Sequence, residues 1–242
     1  MQGIVDIHNH IIYGVDDGSQ NIEMSMNMIA EEYVQGVRDI ILTPHFDVNG
    51  CMPDPARVKS HFLKLKELTA KEYPEMTLHL GNEVFACFDM IRWLEEGVIN
   101  TMGDSKYVLV EFFPMARYDE MLRYLSQLVN NGYIPIIAHC ERYKTLRKRF
   151  KVIDEEKIKH LIDMGCYFQI NTQSVHKFDV RFTKKMIEKD FLHFVATDAH
   201  SMGRRGIYWD ECIEYLESKY SSDYLEWLLI QNPRKVLAGE YI

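Results

Sequence analysis

The stretch Asp119–His139, DEMLRYLSQLVNNGYIPIIAH, holds one complete unit of the fold. Asp119–Asn131 is amphipathic at helical spacing, so it presents one apolar face to a core. Gly132 follows, where a left-handed cap turns the chain back on itself. Ile134–Ala138 is then a short apolar run of the kind that buried parallel strands use. His139 ends the run.

The same unit recurs in both directions. Apolar runs at Ile4–Ile7, Asp39–Thr43, Thr77–Leu80, Tyr107–Val110, Tyr167–Ile170 and His193–Ala196 read as further strands. Helical patterns at Ile22–Gln35, Ala56–Glu72, Glu155–Asp163 and Thr183–Glu188 alternate with them, and Gly36 and Gly165 repeat the capping glycine. Glu211–Lys219 and Tyr224–Leu229 read as closing helices, with Asn232–Pro233 opening a last one. Seven such units without a Pro/Gly/Ser-rich linker predict one α/β domain over residues 1–242, a distorted (β/α)7 TIM-like barrel. An open doubly wound sheet is the alternative.

The polar residues at the strand ends carry the functional argument. His8 and His10 end the first run, His45 the second, Glu83 the third, Glu111 the fourth, His139 the fifth, and Asp198 with His200 the seventh. In a βα barrel the C-terminal strand ends converge on one face, where active sites are built. His-x-His and Asp-x-His put two donors on one side of an extended chain, and each glutamate has two oxygens with which to bridge two ions. Asp16 and Asp17 follow the first strand in a loop near that face, and Asp6 inside it is a candidate to orient His8 or His45. A single strand-end histidine is usually structural. So many histidines and acids at one end would each cost several kcal/mol to bury without a partner, which points to metal. Mixed imidazole and carboxylate donors suit Mn, Fe or Zn better than Ca or Mg. His61, His79, His160, His176 and His193 read as structural or surface residues, while Arg117–Tyr118 and Tyr143–Lys144 either line the cleft or begin helices.

Composition removes several functions. A formal net charge of -8 argues against nucleic acid, though bound cations would still admit an anionic substrate. Five scattered cysteines without a CxxC pair predict reduced thiols and a cytoplasmic setting. The opening MQGIVDIHNH does not resemble a signal peptide, and nothing approaches the ~20 apolar residues of a membrane span. Cys51–Arg57 has the C-x5-R spacing of cysteine-dependent phosphatases. However, two prolines in CMPDPAR remove N–H groups such a loop needs, so Asp54 and Pro55 are expected to start a helix instead.

DIHNH, TPH, GNE, VEF, AHCER and TDAH, in that order, resemble the PHP (polymerase and histidinol phosphatase) superfamily. VDIHNHIIYGVDDGS, RDIILTPHF, VLVEF, PIIAHCERY, LIDMGCYFQIN, ATDAH and NPRKVL are more closely similar to the manganese-dependent tyrosine phosphatases of bacterial capsular-polysaccharide loci. The similarity runs from Asp6 to about Leu237. It implies a distorted (β/α)7 barrel with three divalent ions, manganese ahead of iron or zinc. It places His8, His10, Glu83 and Asp198 around one ion, Glu83, Glu111 and His139 around a second, and Asp17, His45 and His200 around the third. It makes Arg142 and Arg205 a phosphate clamp, with Arg204 the alternative because SMGRRG is shortened against the family.

The implied reaction is hydrolysis of phosphate monoesters, foremost protein phosphotyrosine. A hydroxide generated on the metals would attack phosphorus in line while metals and arginines neutralise its oxygens. His45 or Asp198 would supply the leaving-group proton. The implied partners are phosphotyrosine proteins, including a bacterial tyrosine kinase of polysaccharide export, and the implied role is control of capsular or exopolysaccharide synthesis. Four other readings compete: a histidinol-phosphate or other small-molecule phosphatase, an amidohydrolase, a nuclease, and a non-catalytic regulator that binds a kinase. An amidohydrolase would add a strand-end lysine and later lone histidines, where this chain has Glu83, Glu111 and the DAH pair.

Overall fold

The computed structural model describes residues 1–148 and 152–242. Its strand segments are β1 (Ile4–Asp6), β2 (Val37–Leu42), β3 (His45–Phe46), β4 (Thr77–Leu80), β5 (Glu83–Phe85), β6 (Tyr107–Glu111), β7 (Ile134–Ile137), β8 (Tyr167–Asn171) and β9 (Phe194–Ala196). All named pairings are parallel, in the orders β1-β2-β4 and β3-β5-β6-β7-β8-β9. β2 and β3 are two halves of one strand interrupted at Thr43–Pro44, and β4 and β5 are halves of the next, interrupted at Gly81–Asn82. The interruption keeps its hydrogen bonds. Gly81 N donates to Leu42 O at 2.8 Å, Glu83 N to Pro44 O at 3.2 Å and Asn82 Nδ2 to Pro44 O at 3.0 Å. All seven expected runs therefore contribute strands to the sheet.

The sheet curls until its ends meet, which excludes the open doubly wound alternative. Closure occurs at one end only, through the parallel bridge Asn9↔Ala199, His10 N to Ala199 O at 2.8 Å and Asp198 N to His8 O at 2.7 Å. Lower down, β9 turns to the C-terminal segment instead, where Asn232 Nδ2 donates to His193 O at 3.0 Å. This one-ended closure is the distortion. It also draws the strand-end residues of the first and last strands together. Pro135 is tolerated inside the sheet because β8 pairs with β7 only from Ile136 onward, so the missing N–H interrupts no bond on that side.

The helices are α1 (Ile22–Val34), α2 (Pro55–Glu72), α3 (Met90–Glu95), α4 (Tyr118–Asn130), α5 (Glu155–Asp163), α6 (Thr172–His176), α7 (Val180–Glu188), α8 (Trp209–Glu217), α9 (Ser222–Glu226) and α10 (Asn232–Ala238). Asn21 caps α1 by accepting from Met24 N, and Asp54 caps α2 by accepting from Ala56 N, with Pro55 just inside it. Helices α3 and α6 were not signalled by periodicity, since one turn and a half shows no repeat. α7 starts earlier than expected, at Val180, and a π-turn over Trp227–Gln231 joins α9 to α10. Gly36 takes φ 100°, and a Cβ there would lie 2.3 Å from Met1 O, so the predicted glycine is required.

Two apolar layers hold the barrel. One lies between strands and helices. The other plugs its interior with Val5, Ile7, Tyr107, Leu109, Ile136, Phe194 and neighbours, topped up by Val236 of α10. The plug fills the barrel below the C-terminal strand ends and leaves those ends to polar side chains.

Candidate metal centre

Every strand-end residue named above comes to one place. The regular part of β1 stops at Asp6, so His8 and His10 lie just beyond the strand rather than in it, and their rings still stand 5.5 Å apart. His45 and Glu83 begin β3 and β5 and are register partners, while Glu111 ends β6. His139 follows β7 at φ 31° and Asp198 follows β9 at φ 53°. Left-handed backbone costs about 1–3 kcal/mol at a non-glycine residue, and here it turns both side chains inward.

Glu83 is the centre of the cluster. Its Oε2 lies 3.2 Å from His8 Nε2, 3.2 Å from His10 Nε2 and 3.0 Å from His45 Nδ1, and its Oε1 lies 2.7 Å from His139 Nε2. Donor atoms converge within 4.8 Å in three groups: His8, His10, Glu83 and Asp198; His10, Asp17, His45 and His200; and His45, Glu83 and Glu111. The first group matches the set implied by resemblance. The second adds His10 to its implied set. The third has His45 in place of His139, although His139 Nε2 is also 3.3 Å from Glu111 Oε1.

The supporting contacts explain how the imidazoles are aimed. His10 Nδ1 donates to Asp16 Oδ2 at 2.8 Å, His8 Nδ1 to Gln169 Oε1 at 3.1 Å, and His200 Nδ1 to the Asp198 carbonyl at 2.9 Å. Each ring thereby turns Nε2 toward the cluster. Gln169 Oε1 also accepts from His139 N at 2.7 Å, and Asn171 Nδ2 donates to Asp198 Oδ2 at 2.8 Å. Gln169 and Asn171 are neutral and so carry no charge signal in the sequence; their one signal is their place in the sixth strand, two residues apart.

Asp6, expected to orient His8 or His45, reaches neither ring and meets His8 only through the His8 backbone N at 3.4 Å. Its carboxylate accepts from Thr197 N at 3.1 Å, Thr197 Oγ1 at 2.7 Å and Asn9 Nδ2 at 3.1 Å, so it braces the first strand end against the last. Asp16 does the orienting instead.

The charges are strongly coupled. Burial pushes Glu83 upward, but His8, His10, His139 and His45 outweigh it and hold the carboxyl well below its ordinary range. Asp198 behaves alike, with His8, His10 and Arg142 prevailing over burial. His200 and His45 beside it, with Arg205, hold Asp17 far down. Burial opposes a proton on His45 and His139, yet their carboxylate neighbours raise both to about 9. His10 rises in the same way, against burial and through Asp16. His200 is lowered, by burial and then by His10. Cations entering such a site displace protons from its imidazoles.

Beside the cluster opens a cleft of about 400 Å³ that includes Arg142, Arg204, Arg205, Asn171, Asp198 and Phe178 in its walls. Arg142 Nη2 reaches Asp198 Oδ2 at 2.5 Å, and Arg205 Nη1 reaches Asp17 Oδ2 at 2.9 Å. Arg204 is held by its carbonyl, which accepts from Gln173 Nε2 at 2.9 Å. The other candidates, Arg117, Tyr118, Tyr143 and Lys144, stay out of the cleft walls, although Tyr143 Oη reaches His139 Nδ1 at 3.4 Å. Tyr143 is fully buried, accepting from Phe112 N at 3.1 Å, Tyr118 meets His160 at 2.8 Å, and Arg117 pairs with Asp119 at the surface.

His61, His79, His176 and His193 stay outside the cluster, on Tyr13 O, Asp39, Thr172 O and Phe168 N. Cys51 donates to Val15 O at 3.4 Å, and burial with Asp16 and Asp17 pushes its thiol up, the opposite of a reactive thiolate.

A curled parallel α/β barrel, closed only at its C-terminal rim and gathering imidazoles and carboxylates there, defines a barrel protein of the metal-binding kind. The chain matches the family described as capsular polysaccharide synthesis, CpsB/CapC, over residues 4–238, and belongs to it. It is 32% identical to the tyrosine-protein phosphatase CpsB of Streptococcus pneumoniae over 248 residues, covering 99% of this chain and all (100%) of the relative. It is also 32% identical to the tyrosine-protein phosphatase YwqE of Bacillus subtilis (strain 168), covering 99% and 93%. A crystal structure from work on YwqE and CpsB, described as unique metal-dependent tyrosine phosphatases, superposes with a TM-score of 0.86 at 30% identity over 99% of this chain and 96% of that one. The histidinol phosphate phosphatase of Lactococcus lactis shares the fold, with a TM-score of 0.57 at 14% identity over 90% and 92%.

Proposed function

We propose that this protein is a metal-dependent protein-tyrosine phosphatase acting in capsular or exopolysaccharide synthesis. The observation that carries the metal reading is a set of orphaned atoms. His8 Nε2, His10 Nε2, Glu83 Oε2, Asp198 Oδ1 and His200 Nε2 are all buried and make no hydrogen bond of good geometry, although imidazole and carboxylate atoms among them lie as close as 3.2 Å. Buried polar atoms are almost always partnered, and leaving one unpaired costs about 1–3 kcal/mol. Cations placed among these atoms would remove that cost. Three groups of donors could each hold a divalent ion, manganese being the one the family resemblance implies: His8, His10, Glu83 and Asp198; Glu83 and Glu111 with His45 or His139; and Asp17, His45 and His200 with His10.

When bound, such ions supply Lewis-acid charge and lower the pKa of water. The chain's own residues do the rest. Arg142 and Arg205 border the cleft, each also paired with a carboxylate of the cluster, and would grip two phosphate oxygens. Asn171 and Arg142 hold Asp198 in place, and Asp16 holds His10. Of the two candidates to protonate the leaving phenolate, His45 is the more open, with its side chain 20% exposed against 3% for Asp198.

The substrates are phosphotyrosine proteins, with a tyrosine kinase of the polysaccharide export system the foremost candidate, met in the cytoplasm. Among the described residues no helix is long and apolar enough to cross a membrane. The test is turnover of phosphotyrosine peptides, para-nitrophenyl phosphate and histidinol phosphate by metal-stripped protein, with Mn, Zn, Fe or Mg restored. Metal-restored preference for phosphotyrosine, lost in His10→Ala, is expected. Preference for histidinol phosphate would reassign the substrate, and turnover without metal would overturn the reading.

A further inference from the structure

All exposed phenylalanines among the described residues, Phe88 (81%), Phe113 (63%) and Phe178 (59%), lie on connections that leave strand C-terminal ends. Val48, Met52 and Met115 join them there, exposed at 37%, 59% and 66%. Exposed apolar residues scattered singly need no explanation, but several gathered on neighbouring loops at one end of a barrel form a candidate contact surface.

Phe178 stands in the wall of the arginine-lined cleft. The others occupy three successive loops on the remaining side of the mouth. β3 pairs with β5 and β5 with β6, so the loops bearing Val48 and Met52, Phe88, and Phe113 and Met115 are neighbours. The surface reaches the cluster itself. Phe85 is the register partner of Glu111, Ala86 N donates to Glu111 O at 2.9 Å, and Phe85 packs edge-on against Phe113 at 4.6 Å.

We propose that this apolar rim is a docking surface for the polypeptide that flanks the phosphotyrosine, a specificity element distinct from the residues that hold phosphate. The inference rests on the phosphatase reading above. A tyrosine whose phosphate reaches the buried floor leaves its own backbone at the level of the strand-end loops, so adjoining residues lie over this rim. Three features favour that occupant. The surface is continuous with Glu111, one of the cluster residues. A second copy seated there would seal the mouth against a protein substrate. An anionic membrane is disfavoured by the net charge of -8 and by Asp47, Asp54 and Asp89 on the same loops.

The rim therefore selects phosphotyrosines with apolar neighbours, while small aryl phosphates bypass it. The test compares wild type with a Phe88→Ser/Met115→Ser double variant, whose side chains are mostly in solvent and contribute little to the fold. Substrates are a phosphotyrosine peptide with apolar flanks, the same peptide with charged flanks, and para-nitrophenyl phosphate. KM for the apolar-flanked peptide is expected to rise about tenfold in the variant, with its kcat and the turnover of para-nitrophenyl phosphate unchanged. The charged-flank peptide should be handled equally by both proteins. An unchanged KM for the apolar-flanked peptide overturns the docking surface and leaves the phosphatase reading intact. Equal losses on peptide and para-nitrophenyl phosphate overturn it too, as damage to the site. Wild type inactive on every phosphotyrosine peptide overturns both readings. A sedimenting dimer or vesicle binding lost in the variant, with peptide KM unmoved, assigns the patch to a second copy or to lipid instead.

Discussion

Replacing Asp16 with asparagine is expected to weaken metal binding about 10- to 100-fold while leaving the ligands in place. Asp16 Oδ2 accepts from His10 Nδ1 at 2.8 Å and from His45 N at 3.1 Å, and Oδ1 accepts from Gly18 N at 2.9 Å. Asparagine has one oxygen for three donors. If it stays on Gly18, its NH2 faces two N–H groups; if it flips, the Gly18 turn loses its acceptor. The charge that fixes His10 with Nε2 toward Glu83 is lost in either orientation. The expected loss corresponds to about 1.4–2.8 kcal/mol of binding free energy. Calorimetric titration of metal into stripped protein, with activity followed against free metal, measures it directly. Activity should recover most of its wild-type value at saturating metal. An unchanged metal requirement would refute the argument, as would a lost kcat that no metal concentration restores.

Arg142→Ala and Arg205→Ala should each lower kcat/KM for aryl phosphates roughly 10²- to 10³-fold, whereas Arg204→Ala should cost about tenfold or less. Arg205 reaches Asp17, while Arg204 is held only through its carbonyl, so the reverse ranking in steady-state assays would exchange their roles. Chelation should lower Tm by about 10 °C relative to protein with metal near a thousand times Kd, because the ions bind only the folded state. Differential scanning calorimetry with and without a chelator reads this, and coincident transitions would count against a resident metal. His193 is buried and accepts from Phe168 N at 3.1 Å, and burial lowers its pKa from 6.5 to about 4. Below pH 6.5 the unfolded chain takes up a proton that the folded one refuses, so stability falls as pH drops toward 4, by up to about 3 kcal/mol from this residue. Urea unfolding across that window should show a shallower decline in His193→Phe, and identical slopes would place the loss elsewhere.

Alternation of apolar runs with amphipathic segments was enough to place seven parallel strand positions and most helices, because helical and strand periodicities are local properties of the chain. The strand-end histidines and acids were legible for a related reason. A parallel barrel sends every strand's C-terminal end to one face, so topology alone converts sequence position into proximity. What escaped was set by contacts between distant segments. Nothing near Asp16 in the chain distinguishes it from Asp6, yet one meets the His10 ring and the other braces Thr197. Tyr143 looked like a cleft residue and is buried behind His139, because the chain turns inward after β7 with His139 at positive φ. Gln169 became a support for two histidines only once β8 was seated beside β7. The sequence by itself determined the repeating architecture and the chemical kind of the site, since both follow from residue type and spacing. The tertiary structure alone decided which donor faces which, how the barrel closes at one end, and where the apolar rim lies, since these depend on side-chain directions that no local pattern encodes.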